Sequence, residues 1–164
     1  MRVSTRSAAA PVVALLALVT LAGCTAGADA PERGDDGEIV EAVEESDPFA
    51  LLVGDCMNAA DLGTLVETVP TVPCADAHDS EVYAVTDVAD GDFPGDDALA
   101  AQADEFCLSE FEKFIGLSYQ ESEIELSYLT PTEQSWNELN DRELLCFVID
   151  TAGDVTGSLK GAAR

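Results

Sequence analysis

The sharpest division in the chain falls at Cys24. Before it runs an apolar stretch from Ala8 to Gly23, 16 residues that include Pro11, with Arg2 and Arg6 ahead of them. After it come all 33 acidic residues and only five basic ones: Arg33, Lys113, Arg142, Lys160 and Arg164. A positive start and a short apolar run ending in small residues is the pattern of a secretory signal peptide. The run falls short of the about 20 residues a membrane-spanning helix needs. Residues 1–23 are therefore read as removed. What remains must fold outside the cytoplasm with a net charge of −28. A field of that sign repels nucleic acid and anionic polymers, so no nucleic-acid partner is expected. It favours solubility and leaves open an attraction for cations or basic protein surfaces.

The four residues at the division, Leu21-Ala22-Gly23-Cys24, resemble the lipobox of bacterial lipoproteins. That resemblance implies a diacylglyceryl group on the Cys24 thiol, cleavage before Cys24, and palmitate-type acylation. Two or more acyl chains hold a protein stably on a membrane. The implied place is the extracytoplasmic face of the cell membrane, with the lipid bilayer as partner through Cys24.

Five cysteines are an odd number for a secreted chain. If Cys24 carries lipid, Cys56, Cys74, Cys107 and Cys146 remain, and four close two disulfides. Cys56 and Cys74 flank the first extended segments. Cys107 falls on a helical stripe and Cys146 in a late strand, so their bond would pin helix to sheet. Four free thiols, or one zinc site, are the alternatives. Spacings of 18, 33 and 39 residues contain no Cys-x-x-Cys knuckle, so zinc is disfavoured and no metal or other cofactor is assigned.

Taken in order, residues 24–47 are rich in Ala, Gly, Asp and Glu and lack an aromatic residue. That composition predicts a flexible acidic tether, with at most a weak helix near Ile39–Val43. The globular domain is placed at residues 48–164. Leu51-Leu52-Val53 and Thr64–Val69 are read as short strands. Glu81–Val88 alternates and is read as a strand, with Val82, Ala84, Thr86 and Val88 on one face. Asp96-Asp97 open a helix whose stripe runs Leu99, Ala103, Phe106, Cys107, Glu110, Phe111, Phe114 and Ile115, and Gly116 ends it. Glu121–Leu129 alternates again. Thr130-Pro131-Thr132-Glu133 predicts a capped start, with Thr130 as N-cap, for a short helix carrying Trp136. Glu143–Asp150 is apolar on both faces and reads as a central strand. Val155–Leu159 is a candidate last strand. The fold class is α+β: a small, mostly antiparallel sheet with one long packed helix and one short helix, stapled by two disulfides.

Several of these pieces stand in a characteristic order: Val53-Gly54-Asp55-Cys56, Val72-Pro73-Cys74, His78 with Glu81-Val82, Cys107 on a helix, Pro131-Thr132 with Trp136, Asp141-Arg142, Cys146, and Thr156-Gly157-Ser158-Leu159. Over residues 51–161 the chain resembles the septum formation-related domain of actinobacterial envelope proteins. Ala77 stands where that family usually has Pro, and Asn140 where it usually has Gly. The resemblance implies a place, the envelope, and a process, division, more than a mechanism.

Catalytic chemistry finds little footing. His78 is the only histidine. With Asp76, Asp79 and Glu81 it has the makings of a metal ligand or base, but the more ordinary role is to order a turn. Gly157-Ser158-Leu159-Lys160-Gly161 has the wrong spacing for a nucleophile elbow. The acids at 87, 90, 92, 96 and 97 do not keep calcium-loop spacing, since Gly91 falls at position 5 and Pro94 interrupts. Asp141-Arg142 suggests a bidentate carboxylate pair fixing the turn before Cys146. Trp136 reads as core. His78, Glu81, Trp136 and Arg142 are the candidate binding or structural polar residues, with no catalytic residue assigned. The function expected is a non-enzymatic interaction domain serving septum formation or envelope assembly, with an envelope or division protein as partner. The alternative is a lipoprotein that captures a small ligand or cation; a wall-active hydrolase stands third.

Overall fold

The computed structural model describes residues 28–60, 62–63 and 65–164. The reading of residues 1–23 and of the Cys24 lipidation site falls outside them.

Six strands form one sheet: β1 (Val43–Ser46), β2 (Cys56–Met57), β3 (Val69–Val72), β4 (Ser80–Asp87), β5 (Glu125–Leu129) and β6 (Glu143–Ile149). Their order is β1-β3-β2-β4-β6-β5. Every ladder between them is antiparallel. Two α-helices complete the fold, α1 (Asp96–Ile115) and α2 (Glu133–Glu138).

β6 sets the layers because its side chains alternate between two cores. Leu144, Cys146 and Val148 face α1, while Leu145 and Phe147 face the opposite side with Leu51, Met57, Val69 and Val82. The sheet is thus covered by a helix on one face and by the loop-rich 51–69 region on the other. On α1 the residues fully withdrawn from solvent are Leu99, Ala103, Cys107, Phe111 and Ile115, a strict step of four. Burying each large side chain contributes about 1.5–3 kcal/mol. The helix stops at Gly116, whose φ of 88° is left-handed and suited to glycine. The chain end then satisfies the helix's last turn: Gly161 and Ala163 donate N–H groups to the Phe114 and Ile115 carbonyls at 2.8 and 2.9 Å.

Both proposed disulfides are present, Cys56–Cys74 and Cys107–Cys146. The second joins α1 to β6 and has no exposed surface at either cysteine.

Several local expectations are corrected. Leu51-Leu52-Val53 is not a strand; a 3-10 turn at Pro48–Ala50 leads into a loop, and the strand is Cys56–Met57. The segment at 64–69 pairs only from Val69, and β3 holds Pro70 within it. The strict alternation of β4 breaks at Tyr83. Val82 pairs Phe147 and Ala84 pairs Cys146, leaving Tyr83 as an extra residue. Such a bulge turns neighbouring side chains to one side, so Tyr83 and Ala84 both enter the helix-side core while Val82 and Val85 pack on the other. The N-cap of α2 is Thr132, not Thr130. Its hydroxyl accepts the Ser135 N–H at 3.0 Å, and Ser135 Oγ accepts the Thr132 N–H at 2.9 Å. Val155 makes only an isolated bridge with His78.

The largest correction concerns the tether. Residues 28–46 lie on the domain rather than hanging free. β1 pairs with β3, Ile39 is buried, and the Ser46 and Thr71 hydroxyls hydrogen-bond at 2.6 Å with no exposed surface. Composition does not see these few specific contacts, each made by a residue ordinary for a linker.

Candidate functional site

The five cations that follow Cys24 divide into two groups. The three arginines are committed to aspartates. Arg33 gives Nη1 and Nη2 to the two Asp55 oxygens at 2.6 and 2.7 Å. Arg164 binds the buried Asp150 through Nη2, and Arg142 reaches Asp90 at 3.1 Å. The two lysines, Lys113 and Lys160, both line one cleft of about 630 Å³.

That cleft is built by three parts of the fold. Strand β4 supplies Glu81 and Tyr83, the last turns of α1 supply Glu110, Lys113 and Phe114, and loops supply Glu38, Val53-Gly54, Cys74-Ala75, Gly157-Ser158 and Lys160. The bulge at Tyr83 lets Tyr83 reach α1, where its hydroxyl donates to the Cys107 carbonyl at 2.9 Å. Lys113 Nζ pairs with Glu110 on its own helix at 2.6 Å and stays largely exposed. The cleft therefore offers two lysines and an aromatic wall in a strongly acidic chain.

Glu81 lies at the back of the cleft, almost wholly buried. Burial pushes its carboxyl above the ordinary range, and hydrogen bonds from the Ser158 hydroxyl and the Leu159 N–H oppose that shift. Ser158 Oγ donates to one oxygen at 2.7 Å and the Leu159 N–H to the other at 2.5 Å. The Gly-Ser-Leu-Lys-Gly run is thus a clasp on Glu81.

His78 is fully buried. Its backbone exchanges two hydrogen bonds with Val155 at 3.0 and 2.8 Å. Its Nδ1–H donates to the Asp76 carbonyl at 2.8 Å, while Nε2 has no partner among the described residues. Asp79 is turned away to accept from Ala59 N–H at 2.7 Å and Ser80 Oγ at 2.6 Å. Among the described residues no three His, Cys, Asp or Glu side chains are placed to hold a metal ion. His78 orders the turn that follows Cys74.

Trp136 and Arg142 form a separate cluster at the other end of the sheet. Trp136 is buried and donates Nε1–H to the Gly91 carbonyl at 3.0 Å. The Arg142 guanidinium stacks 3.7 Å from the ring centroid and gives Nη1 to the Trp136 and Asp141 carbonyls at 3.1 and 2.6 Å. The expected bidentate carboxylate pair at Arg142 is not formed. The carboxylate contact is single, from Nε to the exposed Asp90, because the Nη1 and Nη2 donors go to the Trp136 and Asp141 carbonyls and to Asn140. Asn140 sits at φ 57°, a left-handed position asparagine tolerates better than most residues. That accounts for a residue other than glycine there.

Of the candidate residues, the fold brings Glu81 to the cleft, keeps His78 beneath the adjoining turn, and places Trp136 and Arg142 elsewhere. The cleft lysines and the Arg33–Asp55 pair were missed. A signal existed for Arg33: it is the only base between Cys24 and Lys113, an isolated cation among acids.

Comparison with known proteins now adds to this geometry. The model of the family described as septum formation matches residues 53–163. That span holds the four disulfide cysteines and His78, Glu81, Trp136 and Arg142. A Mycobacterium bovis protein named "Putative lipoprotein LppN" is 32% identical over 119 residues, covering 70% of this chain and 62% of that protein. The chain thus spans less than two thirds of the relative's length. No solved structure matches the chain.

Proposed function

The chain belongs to the septum formation family, and from that membership we propose that it is an extracytoplasmic lipoprotein, held on the cell membrane through Cys24, whose domain binds another envelope or division component without catalysing a reaction. The observation that carries this reading is the extent of the family match, which takes in five of the six strands and both α-helices. The relative's name supports a lipoprotein, and so does the Leu-Ala-Gly-Cys ending of the apolar run. The side chains that acid–base or nucleophilic chemistry would use support a binding role. Glu81 and Ser158 are bonded to each other, and His78 donates to a backbone carbonyl.

The test is the position, in dividing cells, of a copy carrying a label that fluoresces outside the cytoplasm, beside a Cys24→Ala control. A band at the septum that is lost in the control supports the reading. An even rim around the cell that does not change at division refutes the septal part of it, and an unmodified Cys24 in intact-mass spectra refutes the anchor.

A second reading, capture of a small ligand, is favoured by one observation: two lysines, Lys113 and Lys160, line one cleft together with Glu38, Glu81 and Glu110. Thermal stabilisation by carboxylate ligands that is lost in Lys160→Gln would support it.

A further inference from the structure

The docked segment 28–46 changes how the domain stands on its anchor. Asp29 bridges Ser46, and its carbonyl accepts the Asp47 N–H at 3.1 Å. Arg33 then locks the segment: besides its two bonds to Asp55, Nη2 donates to the Ala50 carbonyl at 2.9 Å. Val40 N–H returns to the Glu32 carbonyl at 3.0 Å. The chain is therefore fixed from Asp29 onward. Cys24 lies five residues upstream of Asp29, and five extended residues reach at most about 18 Å. A free coil of 23 residues would wander roughly 25–30 Å and let the domain tumble.

The face beside that attachment point is unusual for this surface. Val40, Phe49, Leu52 and Val53 are each more than half exposed. Six large apolar residues are more than half exposed among the described ones, and these four fall within 14 positions; the other two, Leu65 and Leu139, lie outside that stretch. Arg33 joins the two segments that carry them, donating to the Gly37 carbonyl three residues before Val40 at 3.0 Å and to the Ala50 carbonyl just after Phe49. The Leu52 N–H in turn donates to Asp55 at 2.7 Å.

We infer that this face is a membrane-apposed surface: the Val40, Phe49, Leu52 and Val53 patch rests on the outer leaflet that holds the protein's own lipid. The inference rests on the anchor at Cys24 proposed above. The occupant follows from the length of chain between that anchor and Asp29, which keeps the patch beside the headgroups and raises its effective concentration there. Apolar side chains, not charge, make the contact. Glu32, Asp35, Asp36, Glu41, Glu44 and Asp47 share these segments, and the nearby cation Arg33 is held by Asp55. The contact is therefore with zwitterionic lipid and weakens as the anionic lipid fraction rises.

The test uses the full lipidated protein in phosphatidylcholine vesicles that contain brominated chains as quencher. Phe49→Trp places a reporter in the patch, and Leu139→Trp places one on the exposed turn after α2, at the opposite sheet edge. The expected result is a blue shift and loss of emission for Phe49→Trp, with Leu139→Trp unchanged. Combining Phe49→Trp with Arg33→Gln loosens the segment, and the loss of emission should then disappear although the lipid mass on Cys24 remains. A lipidated Phe49→Trp protein that keeps full emission, or both reporters quenched alike, overturns the inference while leaving the anchor standing. Retained quenching after Arg33→Gln overturns the role given to the docked segment. Concentration-dependent self-association without quenching would assign the patch to a second copy and overturn it too. Absence of lipid mass on Cys24 fails the anchor reading first and the inference with it.

Discussion

Replacing Arg142 with lysine is expected to cost about 3 kcal/mol of stability, and replacing its carboxylate partner Asp90 with asparagine less than about 0.5. The ranking follows from burial. The Arg142 side chain is 13% exposed and that of Asp90 85%. An ion pair with so exposed a partner is worth little, because water screens it and an ordered side chain loses entropy. The Trp136 stack is different. The guanidinium carbon lies 3.7 Å over the centroid of an indole that is buried, where a desolvated cation–π contact is worth about 1–2 kcal/mol. Its two bonds to the Trp136 and Asp141 carbonyls add charge-assisted donors at about 1.5 kcal/mol or more each. Lysine keeps the charge but has neither the plane to stack nor the fork to reach both carbonyls. Urea unfolding of both variants, disulfides intact, reads the difference as a shift in midpoint at constant slope. A double-mutant cycle with Trp136→Phe should return a coupling of about 1 kcal/mol. Equal losses for Asp90→Asn and Arg142→Lys would show that the carboxylate holds this turn, and the stacking argument would fall.

Three further outcomes are expected. Removing the Cys107–Cys146 bond as a double Ala variant should cost about 4 kcal/mol by the chain-entropy relation, and removing Cys56–Cys74 about 3, since the closed loops differ in length; calorimetry should show the larger fall in Tm for the buried bond, and the reverse order would contradict the relation here. Burial raises Glu81 above its ordinary 4.5, and burial likewise raises Glu143, with Asp141 and Asp87 adding to it. The native state thus binds more protons than the unfolded chain just above pH 4.5, and stability should fall as pH rises through that window; Glu81→Gln should flatten part of that slope, and an unchanged slope would refute the assignment. Asp150 shifts oppositely: Arg164 holds it below its ordinary 3.8, so its contribution is complete above pH 3.8 and lost as acid titrates it. Arg164→Ala should remove that acid limb and about 1 kcal/mol at neutral pH, discounted because the guanidinium is partly exposed.

What was legible in the sequence was what repeats. The step-of-four stripe of α1 and the two-sided apolar run of β6 are periodic over many residues, so both elements stand where expected and fix the layers. The cysteine pairing was legible because one partner sat on that stripe and the other in that run. What was not legible turned on single contacts. One extra residue at Tyr83 reverses the facing of β4, and its cause is a bulge that no alternation encodes. The start of α2 moved by two residues because Ser135, not Glu133, returns the capping bond. At Arg142 the charge pattern pointed to a carboxylate, whereas an aromatic neighbour six residues earlier in the chain supplied a better surface.

The docked segment shows the same limit with a functional consequence. Composition assigns residues 24–47 to a tether by averaging, and among residues 28–47 the average is right for nearly all the acidic side chains, which are exposed. Four residues act against it. Arg33 finds Asp55, Ile39 finds the core, Asp29 meets Ser46, and Ser46 meets Thr71. The Asp55 carboxylate is almost wholly buried and accepts three hydrogen bonds, two of them from Arg33. Without Arg33 a buried charge would be left with one donor, a costly state, unless the segment lifts and water enters. Loss of the pair is therefore expected to hydrate Asp55 and to loosen the segment around Arg33, while the β1–β3 ladder and the Ser46–Thr71 bond still hold its far end. An acidic segment that would otherwise repel an acidic domain is held to it by the one cation it contains.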